Sequence, residues 1–270
     1  MARTVIPTIV KLGGSVITLK KQPYTPNLSV IKRLSREIKQ ADRKSLIIIH
    51  GGGSYGHPLA REYNIMEGIK DQRQLIGFSK TRQAMMVLNK MIVDSLIQQN
   101  VPTVSVQPSA FILTNQGRIS EINISVIERM LRINLIPLLY GDAVLDETLG
   151  FSILSGDQIV SNLAIKFKVN QIIFCVDVDG LFNEDPKKNP NANLIEEIKL
   201  DELKNSINSV GKARTTDVTG GMFGKIVELI PAVESGIKVK IINAKKVNRL
   251  YKALKNEKVK GTEIKRGRYN

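Results

Sequence analysis

Three apolar runs of this chain break off at turns made of small residues: "TIVKLGGS" from Thr8, "LIIIHGGGSYGH" from Leu46 and "QIIFCVDVDG" from Gln171. That recurrence limits the possible folds more than any other feature. A short run of branched apolar residues without polar alternation reads as a strand buried on both faces. Such strands belong to parallel sheets, and parallel neighbours need crossover helices between them. The intervening segments have helical spacing. Residues 27–41 place Leu28, Ile31, Leu34 and Ile38 on one face, and residues 78–99 do the same with Met85, Leu88, Ile92 and Leu96. Further strands are expected at 101–106, 135–140, 238–243 and 261–264, with helices at 125–132, 157–167 and 222–235. Asp157 stands where an N-cap belongs. A turn-rich loop fills 177–192. The class is α/β with a largely parallel sheet. No repeat or low-complexity linker divides the 270 residues, so one domain is expected, with a change of lobe near residue 170.

Charge and composition narrow the partners. The formal charge is +15, which attracts polyanions in general. The lysines are scattered and aromatics make up only 5% of the chain, a poor basis for stacking single-stranded nucleic acid. No run is long enough to span a membrane, and the start lacks the pattern of a signal peptide. The single Cys175 lies inside an apolar run and has no internal disulfide partner. A cytoplasmic protein without membrane or nucleic-acid partners is the expectation.

The chemistry belongs at the strand ends. In a parallel sheet the C-terminal ends share one edge, where ligands bind. Glycines let backbone N–H groups approach a phosphate, and helix N-termini add partial positive charge. A fourth glycine turn, "TGGMFGK", opens the helix at 222–235. Four such turns with Lys11, Lys20 and Lys225 close by point to a polyphosphate and a second anion. Two better-known motifs fail. Gly51, Gly53 and Gly56 match G-x-G-x-x-G with Asp71 beyond, but after the second strand and not the first. "GGMFGKI" sets Gly220 one residue too near Gly224-Lys225 for a Walker A loop, and Ile226 replaces the required Ser or Thr. The only two histidines, His50 and His57, flank the second glycine turn. His50, within the strand end, reads as structural.

Taken in order, "KLGGSVIT-x-K", "HGGGSYGH", "YGD", "SGD", "DVDGLF-x-x-DP" and "DVTGGMFGK" resemble the amino acid kinase superfamily over nearly the whole chain. The loop ending in His57 and the Lys11–Lys20 spacing are similar to the isopentenyl phosphate kinases within it. Acetylglutamate kinases follow "HGGG" with Pro and an acidic residue and have no His at the place of His57, uridylate kinases have a loop ending in an Arg-Gly pair, and glutamate 5-kinases have a serine-rich loop there. Fosfomycin kinases share the histidine and are the nearest rival. The resemblance implies an open αβα sandwich with a mainly parallel central sheet and a homodimer. It also implies ATP with magnesium, the metal being carried by the nucleotide without direct side-chain ligands. The implied reaction phosphorylates isopentenyl phosphate to isopentenyl diphosphate, a step of an alternative mevalonate pathway. Another small phosphate or phosphonate kinase of this fold is the alternative. A non-catalytic nucleotide- or nucleic-acid-binding member is a third, opposed by the retained Lys11, Lys20, His57 and Asp157.

The resemblance also implies roles for individual residues. Lys11, Lys20, His57 and Asp157 form the catalytic set. Lys11 suits the β- and γ-phosphates, and Lys20 the phosphoryl group in flight. Leu12, Gly13, Gly14 and Ser15 shape the phosphate cradle, and Gly52 and Gly53 lie between the two substrates. His57 and the Gly156 amide address the acceptor phosphate, while Asp157 orients lysines or magnesium. Asp177, Asp179 and Gly180 begin the nucleotide loop, and Gly221 and Lys225 contact ATP. Phe78, Thr81, Met85, Ala143 and Ile153 would face the acceptor's apolar tail, although a Met-rich stripe also reads as plain core. Residues 1–170 would then be the acceptor lobe and 171–270 the nucleotide lobe.

Overall fold

A computed structural model describes residues 6–184, 189, 191–212 and 220–267. The strands are β1 (Thr8–Leu12), β2 (Leu46–His50), β3 (Thr103–Ser105), β4 (Ile112–Asn115), β5 (Arg118–Ile122), β6 (Ile136–Tyr140), β7 (Asp142–Asp146), β8 (Gly150–Leu154), β9 (Gln171–Val176), β10 (Leu181–Phe182), β11 (Leu194–Ile195), β12 (Glu197–Lys199), β13 (Lys238–Asn243) and β14 (Gly261–Lys265). The helices are α1 (Gly14–Ile17), α2 (Leu28–Ala41), α3 (Gly53–Glu62), α4 (Gln72–Ile97), α5 (Ser125–Arg132), α6 (Gly156–Lys166), α7 (Leu200–Lys212), α8 (Gly220–Glu234) and α9 (Arg249–Leu254).

Eight strands form one sheet in the order β12-β14-β13-β9-β1-β2-β6-β3. From β13 to β3 all neighbours are parallel, and β14 turns back antiparallel at β13. The sheet crosses residue 170 without a break, because β9 pairs with β1 on one side and β13 on the other.

The apolar runs explain the layers. Successive side chains of a strand face opposite sides. Ile9, Ile47, Ile49, Leu139, Ile172 and Phe174 pack into one core with residues of α5, α6, α7 and α8. Their neighbours Val10, Leu46, Ile48, Leu138, Ile173 and Cys175 pack into a second core with α2, α4 and α9. The result is the αβα sandwich with a mainly parallel sheet. Slipping one strand by a single residue would exchange the two cores, so buried alternation fixes the register.

The differences from the sequence reading have local causes. Helix α4 begins six residues before the expected 78, because Asp71 and Gln74 close a capping box. Its apolar spacing starts only where it meets the core. Helix α3 contains Gly56 and Pro58, both weak helix formers, and so lacks a helical signature. The hairpins β4–β5 and β7–β8 form a separate four-stranded sheet, tied by Asp146, which accepts from the Gly117 and Leu149 amides at 2.8 Å each. The expected strand 101–106 shortens to β3. No helix among the described residues is long and apolar enough to cross a membrane.

Candidate active site

The four adjacent strands β9, β1, β2 and β6 run parallel, so their C-terminal turns stand side by side. Backbone bonds stitch these turns together. The Gly13 amide donates to Cys175 O at 2.9 Å, the Gly51 amide to Leu12 O at 3.0 Å, and the Gly141 amide to His50 O at 3.0 Å. The first two turns also interlock. A methyl group on Gly14 would lie 2.3 Å from the Gly53 nitrogen. Gly53 itself has φ +51°, a backbone conformation glycine adopts without penalty. Thr18 Oγ1 donates to Gly14 O at 2.7 Å and accepts from the Ser54 amide at 3.0 Å. The Gly13–Ser15 and Gly51–Gly53 segments are therefore one unit. Gly52 and Gly56 both lie against Met85 Sδ, where a Cβ would come within 3.1 and 2.9 Å.

Charge is gathered at this edge by Asp157. The β7–β8 hairpin returns the chain to the strand ends, where Gly156 packs against His50 O and Gly141. The N-cap of α6 is Ser155, whose side chain accepts from the Gln158 amide, and not Asp157 as its position in the sequence led us to expect. That leaves the Asp157 carboxylate available. Its Oδ1 is 2.7 Å from Lys11 Nζ and its Oδ2 is 2.8 Å from Lys225 Nζ. Burial opposes the charge of Asp157, but Lys11 and Lys225 overcome it and hold its pKa below the carboxylate range. Burial lowers the pKa of Lys11, Asp157 pulls it back up, and the Phe174 ring lies 4.5 Å below the ammonium. Two cations share one carboxylate, so the cluster carries a net positive charge next to the glycine amides.

Asp177 and Asp179 collect a second set of cations. Ser15 Oγ donates to Asp177 Oδ1 at 2.8 Å, and Lys20 Nζ is 3.1 Å from Oδ2. Lys245 Nζ stands 4.0 Å from that same oxygen. Asp179 takes Arg249 at 2.8 Å, Asn243 at 2.9 Å and Lys260 at 3.2 Å. Burial would raise its pKa, yet these partners bring it down to about 2. Gly180 has φ +153° and leaves no room for a side chain against Thr262. Leu12 is buried at the end of β1. Gly221 falls in the first turn of α8, while Asp217–Thr219 and the Asp185-Pro186 pair lie outside the described residues.

The histidines separate as their positions imply. His50 is fully buried and stacks on Tyr140 with ring centres 5.5 Å apart. With the hydrogen assigned to Nδ1, it donates to Gly51 O at 3.1 Å, and Nε2 accepts from Asn89 Nδ2 at 3.2 Å. His57 is exposed on α3. Surrounding protein lowers its pKa first, then Lys225, Arg61 and Lys11, against a smaller pull from Asp157. It thus shares the field of the Asp157 cluster. Phe78, Ala143 and Ile153 come together with Phe151 in a small apolar cluster apart from both main cores. The Phe78 and Phe151 rings are 5.2 Å apart. Thr81 is buried and bonded to Gly77 O, and Met85 belongs to the main core on that face.

Several residues were not foreseen. Asn89 follows Met85 by one helical step on the apolar face of α4, and a polar residue there was a readable sign of a buried partner. Lys245 and Arg249 follow β13 as the glycines follow β2, so the strand-end rule pointed to them as well. The Phe174 ring beneath Lys11 had no signal, because it depends on the pairing of β1 with β9.

No group of three or more His, Cys, Asp or Glu among the described residues could hold a metal ion. Both oxygens of Asp157 are occupied by lysines, and those of Asp177 by Ser15 and Lys20. Cations and a hydroxyl thus already hold the carboxylate oxygens to which a magnesium ion at this edge would bind.

The chain is similar to known proteins in sequence and fold. The pattern that defines the amino acid kinase family matches residues 7–243. An isopentenyl phosphate kinase of Methanothermobacter thermautotrophicus is 42% identical over 265 residues, covering 95% of this chain and 98% of that protein. One of Methanocaldococcus jannaschii is 36% identical over 271 residues, covering 95% and 98%. An X-ray structure of an isopentenyl phosphate kinase superposes with a TM-score of 0.84 at 38% identity, covering 95% of this chain and 99% of that one.

Proposed function

This chain belongs to the amino acid kinase family, and from that premise we propose that it transfers the γ-phosphoryl group of ATP to isopentenyl phosphate, giving ADP and isopentenyl diphosphate. It is a phosphotransferase with a phosphate group as acceptor. The observation that carries the reading is the net-positive Lys11–Asp157–Lys225 cluster set beside two interlocked glycine turns, with His57 in the same field.

Phosphoryl transfer leaves little covalent work to the protein, and catalysis is positioning plus stabilisation of charge. Lys11 and Lys225 bind the β- and γ-phosphates, and Asp157 keeps both ammonium groups in place between turnovers. The amides of the Gly13–Ser15 turn complete the cradle after Leu12. Lys20 meets the γ-phosphoryl group as it moves. Gly52 and Gly53 lie between donor and acceptor. An oxygen of the acceptor phosphate attacks the γ-phosphorus, the bond to the ADP oxygen breaks, and no general base is needed because the nucleophile is already ionised. His57 and the Gly156 amide donate to non-attacking oxygens of that phosphate. Neutral imidazole still offers one N–H, and the arriving dianion favours its protonation. Magnesium carried in on ATP would neutralise part of the phosphate charge beside Lys11 and Lys225. Asp177, Asp179 and Gly180 shape the nucleotide loop, with Gly221 at the start of α8.

The five-carbon tail lies against Phe78, Ala143 and Ile153, with Thr81 and Met85 behind. Residues 1–170 hold the acceptor and, through the turn after β1, the phosphates of ATP, while 171–270 hold the rest of the nucleotide. The enzyme acts in the cytoplasm and as a homodimer, the second supported by Leu75, Ile76, Met86 and Val87 exposed along α4.

The test is a panel of acceptors with magnesium and ATP: isopentenyl phosphate, dimethylallyl phosphate, fosfomycin, acetylglutamate and UMP. Isopentenyl phosphate is expected to give the highest kcat/KM. A tenfold preference for UMP or acetylglutamate would overturn the assignment.

A further inference from the structure

Lys20 sits on an exposed turn beyond α1, with 61% of its side chain open to solvent. A free lysine of this kind samples many rotamers, and fixing it at the moment of transfer carries an entropic cost. Its one ion partner among the described residues is Asp177, 3.1 Å away. Asp177 is itself fixed. Its side chain is 22% exposed, and its other oxygen accepts from Ser15 Oγ at 2.8 Å. Burial opposes its charge, but the Ser15 and Lys20 hydrogen bonds and the nearby lysines hold its pKa below the usual range. One carboxylate thus joins the exposed lysine to the glycine turn that forms the phosphate cradle. Asp157 does the same for Lys11 and Lys225 on the buried side.

We propose that Asp177 is a positioning residue for Lys20, holding its ammonium over the Gly13–Ser15 turn before the phosphoryl group moves. A lysine has three N–H donors, so Lys20 keeps Asp177 while adding a phosphate oxygen. Lys245 at 4.0 Å shares the same carboxylate oxygen, and without the carboxylate the two lysines repel each other. The proposal rests on the reading that Lys20 serves the transferring group.

A double-mutant cycle in kcat tests it. Asp177→Asn is the informative variant, since its amide oxygen still accepts from Ser15 and keeps the turn in place. Lys20→Met is expected to lower kcat by about a hundredfold, and Asp177→Asn by about tenfold with the ATP Kd moving less than about threefold. In the Lys20→Met background, Asp177→Asn should cost less than about twofold. Asp177→Glu should recover part of kcat. If Asp177→Asn melts early, Asp177→Ser takes its place in the cycle. Multiplicative losses, or a loss carried by ATP Kd alone, would show that Asp177 only braces the loop and overturn the proposal. A Lys20→Met enzyme with unchanged kcat would instead remove Lys20 from the transfer step, a failure of the underlying reading.

Discussion

Lys11 Nζ and Asp157 Oδ1 stand 2.7 Å apart where β1 meets α6, with side chains only 2% and 9% exposed. Water cannot replace either partner there. Removing one member of a buried ion pair typically costs about 3–5 kcal/mol, because the other charge is left uncompensated. Asp157→Asn also turns Lys225 and Lys11 against each other. We expect it to lower stability by about 3 kcal/mol in urea unfolding, and kcat by about a hundredfold or more. Adding Lys11→Met should restore most of the stability and none of the activity. An Asp157→Asn enzyme with normal stability would show that Lys11 is already neutral in the folded protein.

His50 gives a pH dependence whose sign is fixed by burial. Its pKa falls from 6.5 to about 4, so the folded protein binds the proton less readily than the unfolded chain. Between those two values the unfolded state carries more protons. Stability is full above pH 6.5 and falls as the pH drops toward 4, by about 3 kcal/mol at most. His57 is also lowered and adds a dependence of the same sign, so the comparison belongs in a His57→Ala background. There, His50→Gln should flatten the stability profile between pH 6.5 and 4. Equal slopes with and without His50 would rule this account out.

The fold was legible where a residue's neighbours in sequence decide its state. The unbroken apolar runs of β1, β2 and β9 identified buried parallel strands, and the small residues after them identified the ligand edge. What stayed hidden depends on tertiary pairing. Helix α3 is held by packing under α4, not by its own residues, since Gly56 and Pro58 argue against a helix. Asp157 looked like a cap because it follows Ser155-Gly156. Only the structure shows Ser155 filling that role and the aspartate turned toward Lys11 and Lys225. Lys20 and Asp177 are far apart in sequence, and no local pattern joins them.

His57 should act on the acceptor and not on ATP. It is exposed on α3, beside the glycine turn and in the field of Lys11 and Lys225. His57→Ala is expected to cost about 2–4 kcal/mol in kcat/KM for the acceptor, the range for a charge-assisted bond at a reacting phosphate. Isothermal titration with ATP should show a change of less than about twofold, since its contact is with the other substrate. Equal losses for both substrates would move His57 out of the acceptor site.

The acceptor's tail gives a prediction about chain length. Burying five carbons is worth roughly 4 kcal/mol at about 0.8 kcal/mol per carbon, enough to select among acceptors. Phe78 and Ile153 pack with Ala143 and Phe151 in a cluster separate from the two main cores. Both are only partly buried, so shortening them opens space without hollowing either core. Met85 is a poor site for the same change. It belongs to the core and lies against Gly52 and Gly56, and its loss would disturb the second glycine turn. Phe78→Ala combined with Ile153→Ala should therefore raise kcat/KM for a ten-carbon prenyl phosphate relative to isopentenyl phosphate, by about tenfold or more. Met85→Ala should lower stability by about 2–5 kcal/mol without that shift in preference. A folded double variant that keeps its preference for the short chain would place the tail elsewhere.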